Sequence, residues 1–280
     1  MFTGEERNEC LITVVTCNRL SYTKRALAAL EAMNEPERSH VVIVDNGSEA
    51  DTVDWLREWA PATRLKVKRL VLLKPLDSRN ISSAVNLGWL QSRGYAIRMK
   101  LDNDVLLPPD WFALTKEHIC AGYGLTGWVT CNEEAAGQGF LPTWKDVWKR
   151  KFRGFHYLYG GCVCASSGWF ARAGYWHEEF TRGMDFEYSI RGQLLGETIT
   201  YVKGATAVHI GSIAADEDVV PRQRAYREAY ARFDAAFTCK PKPFITRWAR
   251  ASFNWRQPVW EVDERSVVRP AGTLRTLRSV

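Results

Sequence analysis

Short apolar runs alternate with amphipathic segments along the first third of the chain. The apolar runs predict four strands, over residues 11–15, 41–44, 67–73 and 95–101. Between them, apolar side chains recur at helical spacing and predict helices over 22–33, from Asp51 onward and over 81–90. This alternation predicts an α/β fold with a Rossmann-like, mainly parallel sheet that is covered by helices on both faces.

The second half of the chain has a less regular pattern. It predicts helices over 110–121, 183–195 and 222–237, and strands over 125–131, 160–165 and 205–210. Residues 133–155 have no clear period, contain several glycines and aromatic residues, and are predicted to form a long functional loop or lid. We therefore expect one folded domain over 1–240, divided near residue 105 into two halves, and a partly ordered Pro- and Arg-rich extension over 241–280.

Composition places the chain among ordinary globular proteins. Of its 280 residues, 46% are apolar and 25% are charged, which excludes global disorder. The formal net charge of +6 fits an anionic substrate, a nucleotide, an acidic membrane surface or nucleic acid, but also a plain solvated basic face. The seven scattered cysteines form no zinc pattern, and neither a signal peptide nor a bilayer-spanning apolar run is present in the sequence. These features predict a cytoplasmic protein with reduced thiols.

The segment Lys100-Leu101-Asp102-Asn103-Asp104 directly follows the fourth predicted strand. Residues two apart in an extended chain point to the same side, so Asp102 and Asp104 are expected to present their carboxylates to one spot. Mg²⁺ and Mn²⁺ prefer carboxylate oxygens and complete their coordination with substrate phosphates. A position at the carboxyl end of a strand favours such a metal site over a solvated turn.

Two other strand–helix junctions carry polar groups. Asp45, in Asp45-Asn46-Gly47-Ser48, is either a hydrogen-bond acceptor for a nucleoside or part of a plain turn. Arg79 lies near the start of a predicted helix, where backbone N–H groups favour phosphate, and is otherwise a surface residue. Asn86 lies among apolar residues and predicts a buried amide that needs partners.

Three ionisable residues near the C-terminal end of the predicted domain are further candidates. Asp185 and Glu187 begin a predicted helix, where acidic residues are favoured by the helix dipole, and either one is also a candidate general base. His209 ends an apolar strand and is either a core histidine or a metal ligand.

Some apparent motifs are not expected to be functional. Residues 122–127 match G-x-G-x-x-G, but they follow a helix and precede a strand, the reverse of the order in dinucleotide-binding units. Cys162 and Cys164 lie within a predicted strand and are interpreted as packing residues. A set of aromatic residues is interpreted either as core or as a platform for sugar rings or bases: Trp144, Trp148, Phe155, Tyr157 and Tyr159.

The order of these segments resembles the family 2 inverting glycosyltransferases with the GT-A fold. The similar segments, in chain order, are Val14-Val15-Thr16-Cys17-Asn18-Arg19, Val44-Asp45-Asn46-Gly47-Ser48, Arg79-Asn80 with Ala84-Val85-Asn86-Leu87-Gly88, the D-x-D motif Asp102-Asn103-Asp104, Gly160-Gly161 with Arg172-Ala173-Gly174, Gly183-Met184-Asp185-Phe186-Glu187 with Arg191, and Val208-His209-Ile210. The resemblance runs from about residue 10 to residue 212.

The resemblance implies a role for each matched residue. The nucleoside is expected on Thr16, Asn18 and Asp45, the phosphate side near Arg79 and Asn86, and the ribose near Asp102. The metal is expected on Asp104 and His209. Asp185 occupies the position of the family's base, although Met184 replaces the usual acid before it and Glu187 stays an alternative. Asn80 also departs from the pattern, since no glycine follows it.

The function implied by the resemblance is inverting transfer of a hexose from a UDP- or dTDP-sugar to a hydroxyl acceptor, with Mn²⁺ or Mg²⁺ as cofactor. The acceptor is a polysaccharide, a lipid-linked sugar, a protein or a modified nucleic acid, with a saccharide preferred over nucleic acid. One alternative is a nucleotidyltransferase, although the loop after the first strand, Thr16-Cys17-Asn18-Arg19-Leu20, lacks the expected glycines. The other is a catalytically inactive nucleotide-sugar-binding module.

Overall fold

The first half of the chain folds as the apolar pattern predicts. A computed structural model describes residues 7–75, 80–149, 151–152, 155–178, 180, 183–211, 260–262 and 268–270. The elements of the first half are β1 (Arg7–Thr16), α1 (Leu20–Glu31), a short 3-10 helix (Pro36–Arg38), β2 (Ser39–Asn46), α2 (Ala50–Ala62), β3 (Lys66–Leu73), α3 (Ile81–Trp89) and β4 (Tyr95–Asp102).

The second half contains shorter elements. They are β5 (Val105–Leu106), α4 (Trp111–Cys120), β6 (Leu125–Gly127), β7 (Thr130–Asn132), α5 (Glu133–Gly137), α6 (Trp144–Trp148), β8 (Lys151–Phe152), β9 (Phe155–His156), β10 (Cys162–Ser166), α7 (Ser167–Ala173), α8 (Met184–Leu194), β11 (Ile199–Tyr201), β12 (Ala207–His209), β13 (Trp260–Val262) and β14 (Val268–Pro270). The helix predicted over 222–237 lies outside the described residues.

Two predictions for this half were wrong. The single strand predicted over 125–131 is divided into β6 and β7, which belong to different sheets. The segment 133–155, predicted to be irregular, contains α5, α6 and the antiparallel pair β8–β9. Elements of two to five residues are too short to show a hydrophobic period, so the pattern did not reveal them.

A seven-stranded sheet organises the molecule, in the order β11-β6-β10-β4-β1-β2-β3. Neighbouring strands run parallel except β10, which is antiparallel to both β4 and β6. The mainly parallel α/β fold predicted from the sequence is therefore confirmed. A second sheet, β5-β12-β7, lies after the end of β4 and carries His209.

Helices cover both faces of the large sheet because its central strands are apolar on both sides. Ile12 and Val14 pack on the face that holds Leu27 of α1 and Trp111 of α4. The opposite face packs against α3, α7 and α8. Every side chain from Ser82 to Trp89 of α3 is buried. None of the helices in the described parts of the chain is long and apolar enough to cross a bilayer.

Candidate active site

The carboxyl ends of three central strands meet at one edge of the sheet. Thr16 at the end of β1 pairs in register with Asp45 of β2, and Val15 pairs with Asp102 of β4. Asn103, which follows Asp102, donates from Nδ2 to Thr16 Oγ1 at 3.2 Å. The structure therefore gathers Thr16, Asp45 and Asp102 at the edge where parallel sheets bind ligands.

The loop after β1 has an unusual backbone. Asn18 and Arg19 both adopt the left-handed conformation, with φ of 52° and 55°. This conformation costs roughly 1–2 kcal/mol for a residue with a side chain, and contacts with the loop after β2 hold it in place. Asn18 N–H donates to Ser48 Oγ at 2.6 Å, and Asn18 Oδ1 accepts from Glu49 N–H at 2.9 Å. These hydrogen bonds connect the loop after β1 to the loop after β2 beside the strand ends.

Asp45 is fully buried and organises its own turn. One carboxylate oxygen accepts the Ser48 N–H at 3.0 Å and the other accepts the Ser48 hydroxyl. This arrangement is the turn that the sequence also allowed. A contact between Asp45 and a nucleoside stays a prediction.

Asp104 and His209 form a close pair across 105 residues of sequence. The ladder between β5 and β12 aligns His209 with Val105, and Ile210 N–H donates to the Asp104 carbonyl at 2.8 Å. As a result, His209 Nε2 lies 3.4 Å from Asp104 Oδ1. Arg19 Nη1 lies 3.3 Å from the other oxygen, Asp104 Oδ2.

These contacts shift both pKa values. Burial opposes ionisation of Asp104, but the hydrogen bond and charge of His209, together with Arg19 and Lys100, lower its pKa overall. The hydrogen bond to Asp104 raises the pKa of His209 against the effect of burial. Asp104 is therefore an ionised carboxylate facing a basic imidazole.

The pair has the donor chemistry of a divalent metal site. Both Mn²⁺ and Mg²⁺ bind carboxylate oxygens, and Mn²⁺ also binds imidazole nitrogen. A Cβ atom on Gly211 would overlap Asp104 Oδ2 and lie 3.2 Å from His209 Cε1, so the chain leaves this space clear of side chain. Within the described residues, no group of three or more His, Cys, Asp or Glu side chains surrounds one point. Asp104 and His209 are therefore a pair of candidate ligands in the part of the chain that the structure describes.

The convergence of Asp102 and Asp104 on one spot stays a prediction, and the charges of Asp104 and His209 both act on the pKa of Asp102. β4 ends at Asp102 and a turn separates the two residues. Asp102 Oδ1 lies 2.6 Å from Nζ of Lys100, which is only 1% exposed and also donates to the Gly160 carbonyl. Burial raises the pKa of Asp102, with Lys100 opposing the shift.

Asp185 faces the same lysine from helix α8. Its Oδ2 accepts the Gly160 N–H at 3.1 Å, so Gly160 links Lys100 through its carbonyl and Asp185 through its amide. Burial raises the pKa of Asp185, while Lys100 and the backbone N–H groups oppose that shift. A carboxylate with a raised pKa is suited to accept a proton near neutral pH.

Glu187, the alternative base, is buried among partners of the protein core. Its side chain is 1% exposed and accepts two hydrogen bonds from Arg191, from Nε at 2.7 Å and from Nη2 at 2.9 Å. His177 Nδ1 lies 3.3 Å from Glu187 Oε1. Because these partners enclose Glu187 within the core, Asp185 is the carboxylate of this motif that stays near the cleft.

The assignment of Asn86 to donor binding is corrected by its contacts. Asn86 is fully buried, its Nδ2 donates to the Trp176 carbonyl at 2.8 Å and to Glu178 Oε1 at 3.0 Å, and its Oδ1 accepts the Trp176 N–H at 3.0 Å. Both donors and the acceptor are thus used to fasten the segment after α7 onto α3. Glu178, which the sequence did not single out, also accepts the Ser83 hydroxyl at 2.7 Å. Arg79 lies outside the described residues.

A cavity of about 560 Å³ opens beside these groups. The residues that line it include Asp102, His209, Gly160, Gly161, Tyr159 and Phe140. The five aromatic residues of the ambiguous set are all half-buried, and Tyr159 is the member that lines this cavity. Phe140, which the sequence analysis did not name, is 68% exposed at the cavity. Cys162 and Cys164 are buried in β10, as expected for packing residues.

Comparison with known proteins gives this site a context. S. aureus TarS 1–349 in complex with UDP-GlcNAc is similar with a TM-score of 0.61 and 14% identity, over 88% of this chain and 71% of that chain. The mannosyltransferase PcManGT from Pyrobaculum calidifontis, in complex with GDP-Man and Mn²⁺, has a TM-score of 0.59 and 16% identity, over 88% and 72% of the two chains. GalNAc-T7 with UDP, GalNAc and Mn²⁺ has a TM-score of 0.59 and 14% identity, over 81% and 50%.

Similarity at these identities shows a shared fold, which is that of GT-A glycosyltransferases. No curated protein matches the sequence significantly. The model of the family described as glycosyl transferase family 2 matches residues 11–177, which is more than half of the chain. The chain therefore belongs to glycosyl transferase family 2.

Proposed function

We propose that this glycosyltransferase is metal-dependent and inverting, and that it moves a hexose from a UDP- or dTDP-sugar to a hydroxyl acceptor. The observation that carries the proposal is the Asp104–His209 pair at the strand edge, with Asp185 near the same cavity. Similar structures contain UDP-GlcNAc, and GDP-Man with Mn²⁺, which supports a nucleotide-sugar donor and a divalent cation.

In this proposal the two halves of the domain have separate tasks. Residues from about 10 to 105 hold the donor, with the nucleoside near Thr16, Asn18 and Asp45, the diphosphate near Arg79, and the ribose near Asp102. Residues from about 106 to 215 hold the acceptor beside Tyr159 and Phe140, and residues 241–280 form an extension. A saccharide acceptor suits the aromatic side of the cavity, since sugar rings stack on aromatic side chains.

Asp104 and His209 would hold a cation that neutralises the diphosphate leaving group. Asp185 accepts the proton of the acceptor hydroxyl while the hydroxyl oxygen bonds to the anomeric carbon and the bond to the diphosphate breaks. A single displacement of this kind inverts the anomeric carbon. Lys100 favours the ionised form of Asp185, and the N–H of Gly160 orients its carboxylate.

Two other functions use the same architecture. A nucleotidyltransferase would also use a metal and an α/β nucleotide site, but the loop after β1 has no glycine-rich segment. An inactive binding module would not need a carboxylate with a raised pKa held by Lys100 and Gly160 near the cavity. The metal pair and Asp185 together favour the transferase.

The test is slow hydrolysis of a panel of nucleotide-sugars, measured as release of nucleoside diphosphate with and without Mn²⁺. We expect metal-dependent release from one donor and a loss of about 100-fold or more in Asp104→Ala, because several kcal/mol of charge stabilisation disappear. Asp110→Ala, which alters an exposed aspartate six residues further along the chain, is the matched control and should retain full release.

Each outcome has a distinct meaning. Unchanged release in Asp104→Ala would contradict the metal role. No release together with no metal-dependent nucleotide binding would favour the inactive module. Release of pyrophosphate from a nucleoside triphosphate and a sugar phosphate would identify a nucleotidyltransferase.

A further inference from the structure

Arg19 places a positive charge at the candidate metal centre. Its Nη1 lies 3.3 Å from Asp104 Oδ2, while His209 Nε2 lies 3.4 Å from Oδ1 of the same carboxylate. Both oxygens of Asp104 therefore already have a partner in the protein itself. A cation that binds Asp104 must compete with a guanidinium group that is held next to it.

The backbone fixes Arg19 at this position. Arg19 has a φ of 55°. Its carbonyl accepts the N–H groups of Tyr22 at 3.0 Å and Thr23 at 3.1 Å, which are the first hydrogen bonds of α1. The guanidinium carbon also lies 5.8 Å from the centre of the Tyr22 ring. A conformation this unusual for arginine is kept only where the surroundings impose it.

The side chain of Arg19 is nevertheless more exposed to solvent than that of its partner. It is 43% exposed, whereas the Asp104 side chain is 10% exposed. Guanidinium groups bind phosphate oxygens through two parallel hydrogen bonds, which is a better match than the single contact with Asp104. An anionic diphosphate beside the strand ends would offer Arg19 a stronger partner.

We propose that Arg19 is a built-in counter-ion of Asp104 that lowers the affinity of the donor-free protein for its divalent cation. When a nucleoside diphosphate binds, Arg19 transfers to the phosphate oxygens and Asp104 becomes available to the cation. Metal and donor then bind cooperatively, and each raises the affinity for the other by the same factor. This inference rests on the proposed metal-dependent function and adds the order in which the site is filled.

The test is titration of the full chain with Mn²⁺ at one fixed pH, followed by electron paramagnetic resonance of the free ion, with no nucleotide present. Arg19→Gln removes the charge, and we expect it to bind Mn²⁺ roughly three- to tenfold more tightly than the unaltered protein, the range expected for a partly exposed charge pair. Arg19→Lys keeps the charge and should stay close to the unaltered protein. The same titration with saturating UDP should show a smaller difference between Arg19→Gln and the unaltered protein.

Arg25 provides the matched control. It lies on α1, which begins directly after Arg19, and it pairs with Glu133 on the surface, so Arg25→Gln removes the same charge without touching Asp104. Equal gains in both variants would reduce the effect to net charge and overturn the proposal, as would unchanged or weaker Mn²⁺ binding in Arg19→Gln. If Arg19→Gln fails to fold, Arg19→Asn replaces it because asparagine tolerates the left-handed conformation.

The outcome also separates this inference from the proposed function. Mn²⁺ binding that disappears in Asp104→Ala but does not respond to Arg19 overturns the counter-ion alone. Absence of any Mn²⁺ binding, with or without UDP, overturns the metal-dependent function and the counter-ion together.

Discussion

At the scale of single residues, two carboxylates on α8 differ in what surrounds them. Asp185 accepts backbone N–H groups, among them that of Gly160, and lies near the cationic Lys100, whereas Glu187 is enclosed with Arg191. A buried ion pair that loses one partner leaves the other charge uncompensated. The two residues are therefore expected to respond to neutralisation in opposite ways.

Glu187→Gln should destabilise the protein by about 3 kcal/mol, because it leaves the Arg191 guanidinium buried without its counter-charge. Asp185→Asn should leave the free energy of unfolding unchanged or raise it, since burial already disfavours the ionised carboxylate. Urea unfolding followed by circular dichroism measures both effects, and Mn²⁺-dependent nucleotide binding should persist in Asp185→Asn while sugar transfer is lost. A stable but inactive Glu187→Gln beside an active Asp185→Asn would reassign the base.

The residues of the site were predictable where they follow a strand and were not where they depend on a tertiary contact. Asp102 and Asp104 could be singled out in the sequence because they follow an apolar strand, at the edge where parallel sheets bind ligands. Lys100 is the charged residue nearest to them in the sequence. The strand pattern around this lysine does not show that its side chain is only 1% exposed. Asn86 was recognised as a buried amide, yet its partners at Trp176 and Glu178 lie about 90 residues away, and no local pattern shows them.

At the scale of elements, helix α3 depends on close approach to the central strand. A Cβ atom on Gly88 would overlap the Thr13 side chain of β1 and lie 2.9 Å from its Cβ. A single methyl group at this point must push the fully buried helix away from the sheet. Because Asn80 caps α3 and Asn86 lies within it, such a shift would reach the segment around Trp176.

Gly88→Ala should therefore destabilise the protein by about 1–3 kcal/mol, even though alanine favours a helix. Thr13→Ala removes the two overlapping atoms and should recover part of that loss in the double variant, which urea unfolding of all four proteins would quantify. Gly137→Ala is the control: no atom lies within 4 Å of its Cβ position in α5, so its stability should be unchanged or slightly higher. Additive effects of Gly88→Ala and Thr13→Ala would contradict the contact.

Elements were predictable in proportion to their length. The strands and α-helices of the first half each extend over at least eight residues, and the structure confirms them. β5 has two residues and β12 has three, so neither has a period of its own. Their antiparallel pairing nevertheless aligns Val105 with His209 and so places the imidazole against Asp104. The resemblance named both members of this pair, but periodicity could not show how they meet.

At the scale of the whole molecule, buried ionisable groups determine how global stability responds to acid. Burial lowers the pKa of His177 to about 4 and outweighs the attraction of Glu187, which acts in the opposite direction. The unfolded chain binds a proton at this histidine near pH 6.5, so between these values the unfolded state holds more protons than the folded state. The contribution of neutral His177 to the free energy of unfolding is therefore fully present above about pH 6.5 and is lost as the pH falls towards 4.

The raised pKa values of Asp102 and Asp185 act in the opposite direction. As the pH falls, both carboxylates are protonated at a higher pH in the folded state than in the unfolded chain. Their contribution to stability is therefore present at low pH and is lost as the pH rises through their pKa values in the folded state. The pH dependence of the unaltered protein is the sum of these opposing contributions. Single variants are needed to separate them.

His177→Gln should flatten the acid side of the stability curve. Between pH 7.5 and pH 4.5 we expect the unaltered protein to lose up to about 3 kcal/mol more than this variant, because only its unfolded state gains a proton at position 177. Urea unfolding at both pH values gives the difference directly. Asp185→Asn, measured alongside, should gain stability relative to the unaltered protein at pH 7.5, and that gain should shrink towards pH 4.5. Since the two variants must diverge in opposite directions with pH, parallel curves for both would show that neither group is buried as the structure places it.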